Sequence, residues 1–183
     1  MPRNRRPQDR DEKLSEIVTA AARLFSEAGF EQTSMARIAQ AANVTPNTIY
    51  WYVDDKDTLL VAALDHLLTD ALQKFDQQVD APLIDQVMWA LEQLKRHHTL
   101  ISVVHARSEQ STVVATWHDG FHALMDSLVA DHLDKQGIRE PDRTATARLT
   151  TFAVEGLLSH PTSVAETRAV LDLVLSRQER AAR

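Results

Sequence analysis

Cysteine is absent from the 183 residues, which excludes disulfides and thiolate metal sites and leaves nothing that points to an oxidising compartment. Glycine is scarce, with four residues, and proline numbers only six. With few such breakers and much Ala, Leu, Asp, Glu and Arg, the chain is expected to be all-α. Long apolar runs are missing too: the longest span a few residues, against the roughly 20 that a membrane helix needs. The basic start "MPRNRRPQDRDEK" is followed by no apolar stretch, so it does not read as a secretory signal. A cytoplasmic protein with no membrane partner is expected. There is no nucleophile triad and no Gly-rich phosphate loop, and the carboxylates lie scattered on polar faces. The chain is therefore expected not to be an enzyme and to carry no cofactor.

What is present is 44% hydrophobic residues, enough for a packed core, and a formal charge of −6. The distribution of charge matters more than the sum. Residues 1–10 hold Arg3, Arg5, Arg6 and Arg10 against Asp9, a local excess of three positive charges. They read as a disordered basic arm, either merely solvated or available to a polyanion.

Apolar spacing of i, i+3, i+4, i+7 marks the first helix in "DEKLSEIVTAAARLFSEAG", through Leu14, Ile17, Val18, Ala21, Leu24, Phe25 and Ala28. Gly29 is a left-handed stop. Ser34 is the expected N-cap of a short second helix, whose apolar side is Met35, Ile38, Ala39 and Ala42. Asn43 suits the left-handed residue that ends it. Thr45 and Pro46 then announce a third helix of about two turns, "PNTIYWY". Asp54 or Asp55 caps a long fourth, "KDTLLVAALDHLLTDALQKF". Five more follow, at Pro82 to His97, "TLISVVHA", Thr112 to Gln136, "DRTATARLTTFAVEGLLS" and "SVAETRAVLDLVLSRQ", about nine in all. The expected organisation is an arm at 1–10, a three-helix head at 11–55 and a larger helical body at 56–183, with the fourth helix serving both parts.

Two short helices on a tight turn, the second opening with Thr-Pro, describe a helix-turn-helix. Ala39 is small where the helices cross, Asn43 occupies the turn, and Ile49 inserts back beside Val44 and Ile38. With Ile49 and Val53 facing in, so short a helix cannot also bury three consecutive rings. Pro46, Asn47 and Thr48, and some of Tyr50, Trp51 and Tyr52, must face out, which in this motif is the face that enters a DNA major groove. Asn47 and Thr48 suit base edges, and the tyrosine hydroxyls suit phosphates. Either tyrosine alone has the alternative of packing against the fourth helix. Lys56 and the free N–H groups beginning that helix make an expected phosphate site.

The stretch "GFEQTSMARIAQAANVTPNTIYWYVDDKDTLL", residues 29–60, resembles the DNA-binding region of the TetR/AcrR transcriptional regulators. The resemblance rests on Gly29-Phe30, Thr33-Ser34, Ile38-Ala39, Ala42, Val44, Thr48-Ile49-Tyr50-Trp51-Tyr52-Val53, Lys56 and Leu59-Leu60, and covers about 50 residues from the first helix. Asn43 stands where the family more often has glycine. Asp54 and Asp55 stand where it more often has neutral or basic residues. The resemblance implies that Ser34, Thr45, Asn47, Thr48, Tyr50, Tyr52 and Lys56 touch DNA, with Arg37 a backbone candidate. It also implies a body that binds a small-molecule effector, dimerisation through the last two helices, and a palindromic double-stranded operator from which the effector releases a repressor.

In the body, Phe152, Gly156 and Leu157 of the eighth helix, with Leu171, Val174 and Leu175 of the ninth, are the expected homodimer residues. Met88, Trp89, Trp117 and Phe121 are candidates for an apolar pocket, with His105, His118 and His122 as polar handles. In "HDGFH" the i, i+4 spacing lets His118 and His122 face one metal ion, but no third ligand is near in sequence, and no metal is expected. The alternatives are a metal- or small-molecule-binding helical protein that has lost DNA binding, and a helical enzyme that would need His105, His118 and His122 to converge.

Overall fold

The computed structural model describes the backbone of residues 7–181 and the side chains of residues 10–175. Among the described residues there are nine α-helices and no strand: α1 Pro7–Ala28, α2 Met35–Ala41, α3 Pro46–Tyr50, α4 Lys56–Phe75, α5 Leu83–Arg96, α6 His98–Ser108, α7 Thr112–Lys135, α8 Asp142–Ser159 and α9 Val164–Ala181. A single 3-10 turn follows α4 at Asp76–Gln78. Among the described residues no helix is long and apolar enough to cross a membrane.

The helix ends follow local chemistry. Ser34 accepts a hydrogen bond from the Arg37 N–H, and Thr45 accepts one from the Thr48 N–H. Asp55 accepts one from the Thr58 N–H at 2.7 Å, so of the two candidate caps for α4 it is Asp55 that acts. Asn43 takes φ 52°, the left-handed conformation that the turn after α2 requires. Two expectations need correction. Pro7–Arg10, assigned to a disordered arm, are helical, because proline has no N–H to strand and suits the first position of α1. Arg3, Arg5 and Arg6 lie outside the described residues. The third helix is five residues long, and Trp51 and Tyr52 form the turn that leaves it.

The chain forms two compact units, Met1–Gln73 with Thr99–Trp117, and Lys74–His98 with His118–Arg183. The first is larger than a head ending at residue 55. One long helix and two short ones cannot close a core, and the buried faces of α4 (Leu59, Leu60, Ala63, Leu64), of α6 (Leu100, Val104) and of the start of α7 (Val114) join Ile17, Phe25, Ile38 and Ile49 in one cluster. Thr33 is buried in the α1–α2 connection and donates its hydroxyl to the Gly29 carbonyl at 2.8 Å. The second unit packs Leu83, Val87 and Leu91 of α5, Val129 and Leu133 of α7, Ala147 and Leu157 of α8 and Leu171 of α9. Its buried Gln86 amide donates to the carbonyls of Val79 (2.9 Å) and Ala81 (2.8 Å), which fixes the approach to α5.

Candidate nucleic-acid interface

The α2–turn–α3 element is organised by one side chain. Ile49 is fully buried (0% exposed) and is the only buried residue of α3. Ala39 (1%) lies at the crossing, and Val44 packs against the same cluster. With Ile49 pinned inward, the helical period turns Pro46, Asn47 and Tyr50 outward, all exposed, and Trp51 follows them at 81% exposure. Asn47, Tyr50 and Trp51 line one shallow open depression. Two adjacent rings, Tyr50 and Trp51, are thus left in water.

The other candidates divide by environment. Ser34, Arg37 and Thr45 are exposed on the same short helices and their caps, and the Thr45 and Thr48 hydroxyls lie 3.0 Å apart. Tyr50 is 53% exposed, whereas Tyr52 is half-buried against the core with the Arg10 guanidinium 5.8 Å from its ring centre. Of the two tyrosines, Tyr52 is thus the one that packs inward, and Arg10 of α1 stands beside it.

Lys56 is arranged differently from a free phosphate ligand. Its ammonium lies 4.0 Å from the Phe30 ring centre, a cation–π contact. Burial pushes the Lys56 ammonium below its ordinary pKa, partly offset by the Glu31 carboxylate. Arg107 of α6 also faces Phe30, at 5.1 Å. Its Nη2 donates to Asp57 Oδ2 at 2.6 Å, and its Nε lies 2.5 Å from Oδ1, too far off line for a second hydrogen bond. This pairing holds the guanidinium pKa above its ordinary value. Sequence reasoning missed Arg107 because its partner lies 50 positions away and nothing local signals it.

The body candidates fall on both units. Trp117 belongs to the first and donates its indole N–H to Asp65 at 2.7 Å, and His105 is exposed on α6. In the second, Met88 packs on the core, Trp89 stacks tilted on Phe75 at 5.7 Å, and Phe121 stands 6.2 Å from the His122 ring. Of the expected dimer residues, Phe152 (57%) and Gly156 are exposed, while Val174 and Leu175 are half-buried. Leu157 (6%) and Leu171 (0%) are a correction: both are enclosed in the unit's own core and offer no surface. The large apolar side chains that are exposed on these helices are instead Leu149 and Phe152 of α8 and Val164, Val170 and Leu173 of α9.

The family model described as "Bacterial regulatory proteins, tetR family" matches residues 17–63, the stretch that holds the α2–turn–α3 element. The HTH-type transcriptional regulator HbdR of Aromatoleum sp. (strain CIB) is 36% identical over 70 residues, 38% of this chain and 31% of that protein. AcrR of Shigella flexneri is 44% identical over 52 residues, 28% of this chain and 24% of its own length. These alignments therefore span about a third or less of the relatives' length. YvdT of Bacillus subtilis (strain 168), named an uncharacterized HTH-type transcriptional regulator, is 23% identical over 72% of this chain and 75% of its own. The fold is shared along nearly the whole chain. A TetR-family regulator from Cytophaga hutchinsonii superposes with a TM-score of 0.73 at 16% identity, covering 96% of this chain and 98% of its own. A transcriptional regulator from Rhodococcus sp. Rha1 gives 0.72 at 18%, covering 92% and 96%.

Proposed function

We propose that the chain is a transcriptional regulator of the TetR family and acts as a ligand-responsive repressor, a homodimer released from a palindromic operator by a small-molecule effector. The observation that carries the reading is the split of α3, with Ile49 fully buried while Asn47, Tyr50 and Trp51 stand exposed. A two-fold dimer sets two such helices in successive major grooves, about 34–36 Å apart. Asn47 then reads a base edge, Thr48 contacts a base or a thymine methyl, and Ser34, Arg37, Thr45 and Tyr50 position the head on phosphates. Arg10, beside Tyr52, adds a cation at the margin of this surface.

Dimerisation is assigned to the exposed face of α8 and α9, where apolar side chains otherwise meet water. The effector is assigned to the helical body. The α4 helix begins at the head and ends in the second unit, so a ligand that favours one placement of α4 changes the population of the operator-competent state by its differential affinity.

Selection from a random duplex pool with the purified protein tests the reading. Recovery of a sequence with two-fold symmetry supports it. Recovery of no consensus, with affinity set by salt alone, refutes it.

A further inference from the structure

His118 and His122 lie one turn apart on α7, with ring centres 4.2 Å apart. From α8, Glu155 reaches the same place, its Oε1 2.9 Å from His122 Nε2. The ligand-capable atoms of the three residues all lie within 4.8 Å of one another. From this convergence we infer that the second unit holds a site for a divalent transition-metal ion of the zinc class, with His118, His122 and Glu155 as its protein ligands.

The geometry suits that ion. Bonds of about 2.0–2.1 Å in a tetrahedron place neighbouring ligand atoms about 3.4 Å apart. The His122–Glu155 separation is already near that edge, and closing the rest needs side-chain movement of an ångström or so. Two neutral imidazoles and a carboxylate select zinc, nickel or copper(II) over magnesium or calcium, which prefer all-oxygen sites. The third ligand, which sequence alone did not supply, comes from across the helix pair.

The supporting shell is also in place. The His118 Nε2 is withdrawn from solvent, while Nδ1 faces the Asp119 carboxylate at 3.9 Å, so Nε2 is the nitrogen turned inward. One turn past His122, Asp126 accepts a hydrogen bond from Thr151 at 2.6 Å and faces Arg148 Nε at 3.5 Å. Thr151 is one turn before Glu155 on α8. That rung fixes the register of α7 against α8 and holds the ligand turn on rigid elements. Three protein ligands leave at least one coordination position open for water or another ligand. The site concerns the second unit alone and stands whether or not the head binds DNA.

The test is titration of the purified, chelator-treated chain with zinc(II), followed by calorimetry, and with cobalt(II), followed by its visible absorption. One equivalent is expected to bind, with no competition from a hundredfold excess of magnesium, and to raise the melting temperature. His118→Ala, His122→Gln and Glu155→Gln each lower the affinity at least tenfold and abolish that rise. His160→Ala, an exposed histidine outside the site, leaves both unchanged. His122→Gln retains a hydrogen-bond donor toward Glu155, so an unchanged melting temperature in chelator together with lost metal separates ligation from packing. Binding that survives all three substitutions, falls equally with His160→Ala, or never reaches one equivalent overturns the proposal.

Discussion

Truncating Ile49 to alanine tests the premise on which the interface rests. The substitution removes three carbons from a fully buried site. At about 0.8 kcal/mol per buried methylene, the transfer loss is roughly 2.4 kcal/mol. A void on the order of 80 Å³ adds up to about 2 kcal/mol at roughly 24 cal/mol per Å³, less whatever the surroundings recover by collapse. The expected destabilisation is thus about 2.5–4 kcal/mol. For a chain of this size that lowers the melting temperature by roughly 5–15 °C. Because Ile49 is the only buried residue of α3, the loss falls on the first unit, and the helices of the second melt later. Trp51→Ala removes a far larger side chain from an exposed position and is expected to stay within about 0.5 kcal/mol of the parent. Thermal and urea denaturation followed by circular dichroism measures both. If Ile49→Ala costs under about 1 kcal/mol, or Trp51→Ala costs more than about 1.5, the orientation of α3 described above is wrong.

Asn47→Ala is expected to lower the ratio of operator to scrambled-duplex affinity by roughly tenfold, from about 1–3 kcal/mol of lost base discrimination, read by fluorescence anisotropy at fixed salt. Asn43→Val forces a β-branched residue to φ 52° and is expected to cost about 1–2 kcal/mol in urea melts, whereas Asn43→Gly costs little. Phe152→Glu combined with Leu173→Glu is expected to convert a dimer to a monomer in light scattering; Leu171→Ala instead lowers stability by about 2–5 kcal/mol because that side chain is core. A dimer that survives the double charge moves the interface elsewhere.

The parts legible in the sequence are those encoded within one or two helical turns. The α8 bounds, Asp142–Ser159, follow from apolar spacing between two prolines, and Asn43 announces its own backbone conformation. The inward Ile49 follows from its spacing to Ala39 and Ile38. Long-range partnerships leave no such trace. Arg107 and Asp57, 50 positions apart, close the first unit, and Glu155 meets His122 from another helix. The Lys56 ammonium turns to Phe30 because the face of that ring attracts a cation. Leu157 and Leu171 look like interface residues in sequence because periodicity marks an apolar stripe without saying which of two neighbours it faces.

Asp55, just before α4, bears on stability and, on the function proposed above, on DNA affinity as well. Asp55 caps the helix through the Thr58 N–H, and that bond holds its carboxyl below the usual pKa. The cap contribution is therefore complete above the unfolded carboxylate pKa and is lost as pH falls through the lowered folded value. The sequence leads one to expect a DNA phosphate at this helix start, and the same negative charge would oppose it. At about 8 Å and a high effective dielectric, the repulsion is roughly 0.5–1 kcal/mol at low salt. Asparagine caps as well as aspartate but carries no charge. Asp55→Asn is thus expected to keep the melting temperature at pH 7 within about 2 °C while tightening operator binding two- to fivefold at low salt, a gain that shrinks as salt is raised. Below the folded Asp55 pKa the parent loses its charged cap and the variant does not, so the variant becomes the more stable of the two. Unchanged or weaker operator binding would mean that no phosphate approaches the start of α4, and the head would have to be docked in another orientation.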